Sequence, residues 1–525
     1  ESGAPQDLLV VSAWTGEKGR VSMKLFAAID IGSCEVEMKI FQITSGKGIK
    51  EIDCVCHRME LGKDVYRDGR IGVEMTDELC RVLNDFVRIM KGYRVDDWRV
   101  CATSAVREAG NQLVFLDRVK RHTGLEVEVL SNASQRFMDY KSIASKENEF
   151  NRIIQKGTAI VDVGGGSIQI SLFDKDRLVA SQNMKIGNLR LRERMMNEGV
   201  SLKHYETLLT EVVKNEFLSY KKLYLKDRVI SNLIVVGDHI GDAVHKNVMT
   251  RADFLNFYDD MIYRSDEDAA GRCEVPEDVI SVLRPSLVVY RCFLEAADVE
   301  NIWMPGLHLT DGMAYEYAQQ NQLLKLVHDF DEDILAAARN AAKRYQCSKS
   351  HIKVCEDLAV GIFDKIKKSQ GFDDRDRLLL RIAVILHGCG KFISLSNAGE
   401  SAYHIIMAMD IIGLSEEEKE IVANVVKYNT VPLEGYDKIG SSRMTRENYL
   451  TIAKLTAILG VVNSLDRSHK QKTKEAKQIL HENELVIQLY SDEDLSLEKK
   501  EFAKKAEFFE EVFSIRPVLR QKKMM

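Results

Sequence analysis

No apolar run in these 525 residues reaches the roughly 20 residues that a helix needs to cross a bilayer, so no membrane-spanning helix is expected. A basic excess is missing too. With 74 Lys and Arg against 80 Asp and Glu, the formal net charge is −6, and no overall field attracts nucleic acid or anionic lipid. A polyanionic ligand therefore requires a local cleft. The ten cysteines show no paired short spacings, and the closest two, Cys54 and Cys56, are separated by one residue. This argues against a zinc knuckle or disulfide framework and for free thiols in a reducing compartment. Residues 1–22 have no Lys/Arg-led start before a compact apolar segment and small-residue cleavage site. They read as an extension ahead of Met23, and a cytoplasmic protein with no membrane or nucleic-acid partner is expected.

What is present is a repeat. FAAID-IGS-CEVEMKIF from Phe26 to Phe41 and TAIVD-VGGGS-IQISLF from Thr158 to Phe173 each give a buried strand, an aspartate, a glycine loop and an alternating strand. Glycine lets the backbone turn and expose amides to anionic oxygen, while an aspartate at a strand end can hold Mg²⁺ directly or through water. Two such loops facing each other form a cleft for a phosphate chain and a divalent cation. Asp30 and Asp162 are the candidate Mg²⁺ ligands; Gly32, Ser33, Gly164, Gly165, Gly166 and Ser167 are the candidate phosphate loops.

Strands and helices interleave around both loops, which indicates an α/β fold with sheets covered on both faces. LFAAIDI suits a central strand, and Val36, Met38 and Ile40 alternate with Glu35, Glu37 and Lys39 as in a half-buried strand. Helices are expected over 75–90, 107–124 and 132–154, with strands at WRVCATSAV and LEVEVL. After Gln320 the periodicity is almost wholly helical, with helix lengths around 334–345, 352–368, 376–387, 402–412, 416–428 and 448–468. Beyond these, strand, helix, strand is expected. The division is an extension (1–22), two related lobes (23–156 and 157–325), a helical domain (326–470) and a small α/β segment (471–525).

This constellation resembles the exopolyphosphatase and guanosine pentaphosphate phosphatase (Ppx/GppA) family of the acetate kinase, Hsp70 and actin superfamily. MKLFAAIDIGS is similar to the family's opening phosphate loop, CATSAVREAGN to its Ala-Thr-Ser-Ala-x-Arg segment and IVDVGGGSIQI to its second loop; KIGNLRLRE and LHLTDGMAY fit later segments. The resemblance implies two actin-like, ribonuclease H-like lobes and release of phosphate from polyphosphate or guanosine pentaphosphate with Mg²⁺. It adds Thr103, Ser104 and Arg107 to the phosphate site and implies a homodimer. Such chemistry needs a positioned water, a carboxylate to orient or deprotonate it and donors for developing charge.

The chain departs from the family where the carboxylate should be. The family has Ser-Gly-x-Glu-Glu-Ala-Arg, and this chain reads Ser131-Asn132-Ala133-Ser134-Gln135-Arg136-Phe137, so Ser134 and Gln135 replace both glutamates. Serine cannot take a proton near neutral pH as a carboxylate can. Gln169 replaces a further glutamate, Cys34 an asparagine, and Thr310-Asp311 an Arg-Glu pair. Either hydrolysis is weakened or altered, or the protein binds polyphosphate or nucleotide as a noncatalytic regulator. Glu35, Glu108, Asp139 and Asp238 are the candidates for a replacement base, each read first as an ordinary charged surface residue.

The helical region resembles HD phosphohydrolases, in which histidines and aspartates converge on metal. His351, His387 and Asp466 stand at matching positions, and His404 lies near later family histidines. Gly388 replaces the aspartate after His387 and supplies no side-chain ligand, so this is a degenerate HD-like domain.

Overall fold

The computed structural model describes residues 23–523 except 176, 198–201, 227, 238, 325–327 and 440–443. The extension 1–22 and Asp238 lie outside the described residues. No described helix is long and apolar enough to cross a membrane.

Strands β1 (Met23–Ile31), β2 (Glu35–Thr44), β3 (Gly48–Arg58), β4 (Asp97–Ala102) and β5 (Glu128–Val129) form a sheet in the order β3-β2-β1-β4-β5. The first three pair antiparallel and the last two join in parallel. The second sheet repeats this arrangement with β6 (Thr158–Val163), β7 (Ile168–Asp174), β8 (Arg177–Met184), β9 (Asn232–Val236), β10 (Val248–Thr250) and β11 (Asn301–Trp303) in the order β10-β11-β9-β6-β7-β8. Each glycine loop is thus the turn between a central strand and its antiparallel neighbour. Two lobes of one topology carry the site, as expected.

Helix Val73–Tyr93 covers one face of the first sheet through the buried stripe of Leu79, Leu83, Phe86 and Met90. The opposite face is covered by helix Leu309–Gln320 together with Met138 of helix Asn132–Ala144. This covering alters β2. Its alternation suggested one solvated face, yet Glu37 and Lys39 are both 5% exposed because the helix that ends the second repeat returns across them.

Other expectations are corrected locally. The segment read as one helix over 107–124 is two, Ser104–Glu108 and Gln112–Thr123, because Asn111 bonds both backbone groups of Ile71 and pins the break. Gly124 ends the second helix in the left-handed conformation. The helix expected over 132–154 also divides, into Asn132–Ala144 and Glu147–Ile153. LEVEVL gives only the two-residue β5.

The helical region packs around one apolar core, with helices Lys349–Gln370, Asp374–Leu386, Glu416–Tyr428 and Arg446–Ser464 contributing. The final segment has one strand more than expected: β12 (Glu475–Leu480) and β13 (Glu484–Tyr490) form a hairpin before helix Ser496–Phe513 and β14 (Arg516–Lys522). Its Leu485, Ile487 and Phe509 join the same core.

Candidate active site

The two loops share one hydrogen-bond pattern: Gly32 N–H donates to Glu35 O at 2.9 Å and Gly164 N–H to Ser167 O at 3.0 Å. They also meet. A Cβ on Gly165 would lie 2.7 Å from Ser33 Cβ and 3.0 Å from Cys34 Sγ, and one on Gly166 would lie 2.1 Å from the Tyr66 hydroxyl. Glycine is required here because the lobes approach this closely. Ser33 Oγ bonds Tyr66 Oη and Ser104 Oγ, each at 2.8 Å, so the expected hydroxyls gather at this seam.

Residues 188–190 brace the second loop. Asn188 N–H and Arg190 N–H donate to Gly164 O and Gly165 O, each at 3.0 Å, and Arg190 Nε donates to Gly166 O at 2.9 Å. Arg190 also stacks on Tyr66 and holds Glu108 through bonds of 2.9 and 2.8 Å. Glu108 is therefore committed to a salt bridge between lobes and does not stand in the cleft as a base.

A cavity of about 100 Å³ between the loops is bordered by Asp30, Asp162, Asp139, Gln135, Glu35 and His308, among others. Helix Asn132–Ala144 decides which of its residues reach it. Ser131 caps the helix, accepting from Ser134 N–H at 3.0 Å, and Ser134 Oγ bonds Ser131 Oγ at 2.9 Å, so Ser134 belongs to the cap and does not border the cavity. Gln135 does border it, and Asp139, four residues on, shares its helix face. Gln135 accepts from Arg107 Nη1 at 3.5 Å and donates through Nε2 to Asp162 Oδ2 at 3.4 Å. A neutral amide can do both; a carboxylate there would oppose Asp162. Arg107, expected at the phosphate, instead donates to Leu130 O at 2.6 Å and does not border the cavity.

Asp139 corrects the reading of an ordinary surface residue: it is 5% exposed. Asp139 Oδ2 and Asp30 Oδ1 are buried without hydrogen-bond partners. Burial, followed by the charges of Asp162 and Asp30, pushes the Asp139 carboxyl well above its usual range, against the opposing effect of Arg136. Burial, then Glu37 and Glu35, does the same to Asp30. Carboxylates brought together in this way fit a divalent cation, which would relieve their mutual repulsion. Gln169 sits opposite Asp162 in the strand register, with its amide O and N buried and unpartnered.

The same register places Glu37 opposite Asp30. Glu37 occupies in the first lobe the place of Gln169 in the second, seven residues after its aspartate in each repeat. That spacing was the available signal for Glu37, which the motif reading passed over. Glu37 meets His308 Nδ1 at 2.9 Å and accepts from Thr310 Oγ1 at 2.6 Å, while Lys39 pairs with Asp311 at 3.0 Å. Although burial opposes it, the His308 and Thr310 bonds with nearby Lys39 bring Glu37 down to about 2. Burial likewise opposes the charged form of His308, but Glu37 outweighs it and raises the imidazole.

The sign of the pH dependence follows. Raised His308 stabilises the fold fully below its unfolded pKa of roughly 6.5, and that contribution is lost as pH rises through the folded value. Depressed Glu37 contributes above roughly 4.3 and loses its contribution as pH falls through about 2. His308→Gln is therefore expected to cost about 1–2 kcal/mol near pH 6 and less above the His308 titration, measured by urea unfolding at both pH values. An equal loss at pH 6 and pH 9 would contradict this ion pair.

In the helical domain, His351, His387 and Asp466 come together: His351 Nδ1 lies 2.7 Å from Asp466 Oδ2 and Nε2 lies 3.1 Å from His387 Nε2. His404 is not among them. It is 72% exposed beside Glu400.

The Ppx/GppA phosphatase family matches residues 39–320, and the family's domain III matches residues 335–506. This chain belongs to the Ppx/GppA phosphatase family. Guanosine-5'-triphosphate,3'-diphosphate pyrophosphatase of Photobacterium profundum is 21% identical over 476 residues, covering 89% of this chain and 91% of that protein. The bifunctional 3-dehydroquinate synthase/phosphatase of Fusobacterium nucleatum is 27% identical over 180 residues, 32% of this chain and 26% of that one. The crystal structure of an exopolyphosphatase from Cytophaga hutchinsonii superposes with a TM-score of 0.51 at 17% identity, covering 57% of this chain and 98% of that one. The last likeness establishes the Ppx/GppA two-lobed fold, and the family assignment rests on the sequence matches.

Proposed function

We propose that this Ppx/GppA protein is a phosphoanhydride hydrolase, acting on polyphosphate or guanosine pentaphosphate, in which Asp139 is the general base. The observation that carries this reading is the position of Asp139: one helical turn from Gln135, on the same face, bordering the cavity with Asp30 and Asp162. The carboxylate lost at residues 134 and 135 is thus available one turn further along the helix. The names of the relatives supply the substrate class.

In this reading the glycine loops and the hydroxyls of Ser33, Thr103 and Ser104 hold the terminal phosphate oxygens. Asp139 orients the attacking water and takes its proton at the unpartnered Oδ2. Gln135 keeps Arg107 and Asp162 in register without adding charge. Asp30 and Asp162 would hold Mg²⁺, which when bound neutralises phosphate charge. Calorimetric titration is expected to show Mg²⁺ binding that Asp30→Ala abolishes; unchanged binding would remove Asp30 from the site.

A phosphate-release assay on both substrates tests the function. Gln135→Glu separates this proposal from a noncatalytic regulator, the reading favoured by the neutral side chains of Gln135 and Gln169. With Asp139 as base, Gln135→Glu is expected to change the rate by less than about tenfold, since it adds a carboxylate to a site that has one. Absence of turnover in the natural sequence together with ligand binding would establish the regulator. Turnover appearing only in Gln135→Glu would show that Asp139 does not serve.

A further inference from the structure

The cavity between the glycine loops is poor in fixed positive charge. Asp30, Glu35, Glu37, Asp139 and Asp162 border it, and among the described residues no Lys or Arg does. Arg107 is turned to Leu130 O, and Lys39 is held outside by Asp311 and Glu51. The bordering side chains that can carry positive charge are two imidazoles, His239 and His308. They are not equivalent. Both ring nitrogens of His239 face carboxylates, Nε2 at 3.7 Å from Glu35 and Nδ1 at 3.8 Å from Asp242. His308 meets Glu37 through Nδ1 at 2.9 Å, its backbone N–H donates to Asp311 Oδ2 at 2.9 Å, and its Nε2 is engaged by no described residue.

We propose that His308 is the phosphate-binding cation of this cleft: Nδ1–H donates to Glu37, Nε2–H donates to an oxygen of the bound phosphate chain, and the anion is held while the ring carries both protons. This rests on the cleft being a phosphate site and not on Asp139 being the base. It makes binding at that site respond to pH. Because Nδ1–H stays on Glu37, the proton lost as pH rises is the one on Nε2, and an acceptor lone pair then faces phosphate oxygens. One event removes the charge and turns attraction into repulsion.

The surroundings favour the charged ring. Burial opposes it, but Glu37 outweighs burial and raises the imidazole, with Asp311 acting in the same direction and Lys39 against it. The other charges that reach it are carboxylates, Asp30 of β1 and Asp242 of helix Ile240–Val244. Glu37 is a positioning residue in this arrangement. Thr310 Oγ1 donates to its Oε2 at 2.6 Å, which leaves Oε1 aimed at the imidazole.

The test is calorimetric titration of the full chain with orthophosphate in the presence of Mg²⁺, at pH 6 and pH 9, for the natural protein and His308→Gln. Titration of the ligand and of the other carboxylates is common to both proteins and cancels in the ratio of their affinities. The natural protein is expected to bind about 10–100-fold more tightly than His308→Gln at pH 6, the range for a hydrogen bond from a charged donor, and equally at pH 9. Glu37→Gln should shift the fall in phosphate affinity to lower pH, which a merely structural contact would not do. Circular dichroism at both pH values confirms that each variant is folded. Equal affinities at pH 6, or the same ratio at both pH values, would overturn the proposal. Absence of phosphate binding by the natural protein at pH 6 would overturn it together with the phosphate reading of the cleft. Because binding is read without turnover, a failure here leaves the assignment of Asp139 standing, and an Asp139→Asn variant that keeps its rate leaves His308 standing.

Discussion

Asp139→Asn is expected to lower phosphate release by about 10²–10⁴-fold while the protein stays folded. The two halves of this expectation rest on the same geometry. Asp139 borders the cleft between Asp30 and Asp162, so losing its ability to take a proton strikes the water-activating step. Burial and those neighbours already disfavour its charged form, so a neutral amide of the same shape removes a repulsion. Thermal unfolding without added cation should give a Tm equal to or above that of the natural protein. A large rate loss without a stability loss cannot be assigned to unfolding. If a carboxylate anywhere on this helix face suffices, Gln135→Glu in the Asp139→Asn background should recover at least tenfold. Retention of the full rate by Asp139→Asn would exclude it as the base, whatever the other variants do.

The second large effect is expected at Gly187, outside both loops. A Cβ there would lie 2.4 Å from Gly164 O and 2.4 Å from both C and O of Gly165. These are backbone atoms and cannot swing aside as a side chain can. Gly187→Ala must therefore displace the second loop or the segment whose Asn188 and Arg190 amides hold it. A displacement of about 1 Å at a phosphate-positioning loop costs on the order of 100-fold in rate, and overpacking costs about 1–3 kcal/mol. Phosphate release and urea unfolding of the same preparation measure both. Activity within threefold of the natural protein would mean that the second loop tolerates displacement and does not position substrate.

How much of the site was legible in the chain varies residue by residue. Asp30, Asp162 and the glycines were legible because a strand end, an aspartate and a turn are local features, and their recurrence in two places made them specific. The absence of carboxylates at Ser134 and Gln135 was equally plain. The importance of Asp139 was not, since an aspartate four residues along a helix becomes an active-site group only when that helix face is turned into the cleft. Arg107 has the residue type for phosphate but is turned to the Leu130 carbonyl and Gln135.

By itself the sequence determined the two glycine loops, the alternation of strands and helices around them and the helical second half, because these depend on contacts between near neighbours in the chain. It also determined that glutamate is missing where the family's catalytic pair stands. The tertiary structure alone decided the electrostatics. Helix Leu309–Gln320 buries Glu37 and Lys39, which an alternating pattern assigned to solvent, and it brings His308, Thr310 and Asp311 to meet them across more than 250 residues of chain. Charge and burial act through space, so which carboxylates are paired, protonated or free to accept a proton is fixed only when distant segments fold together.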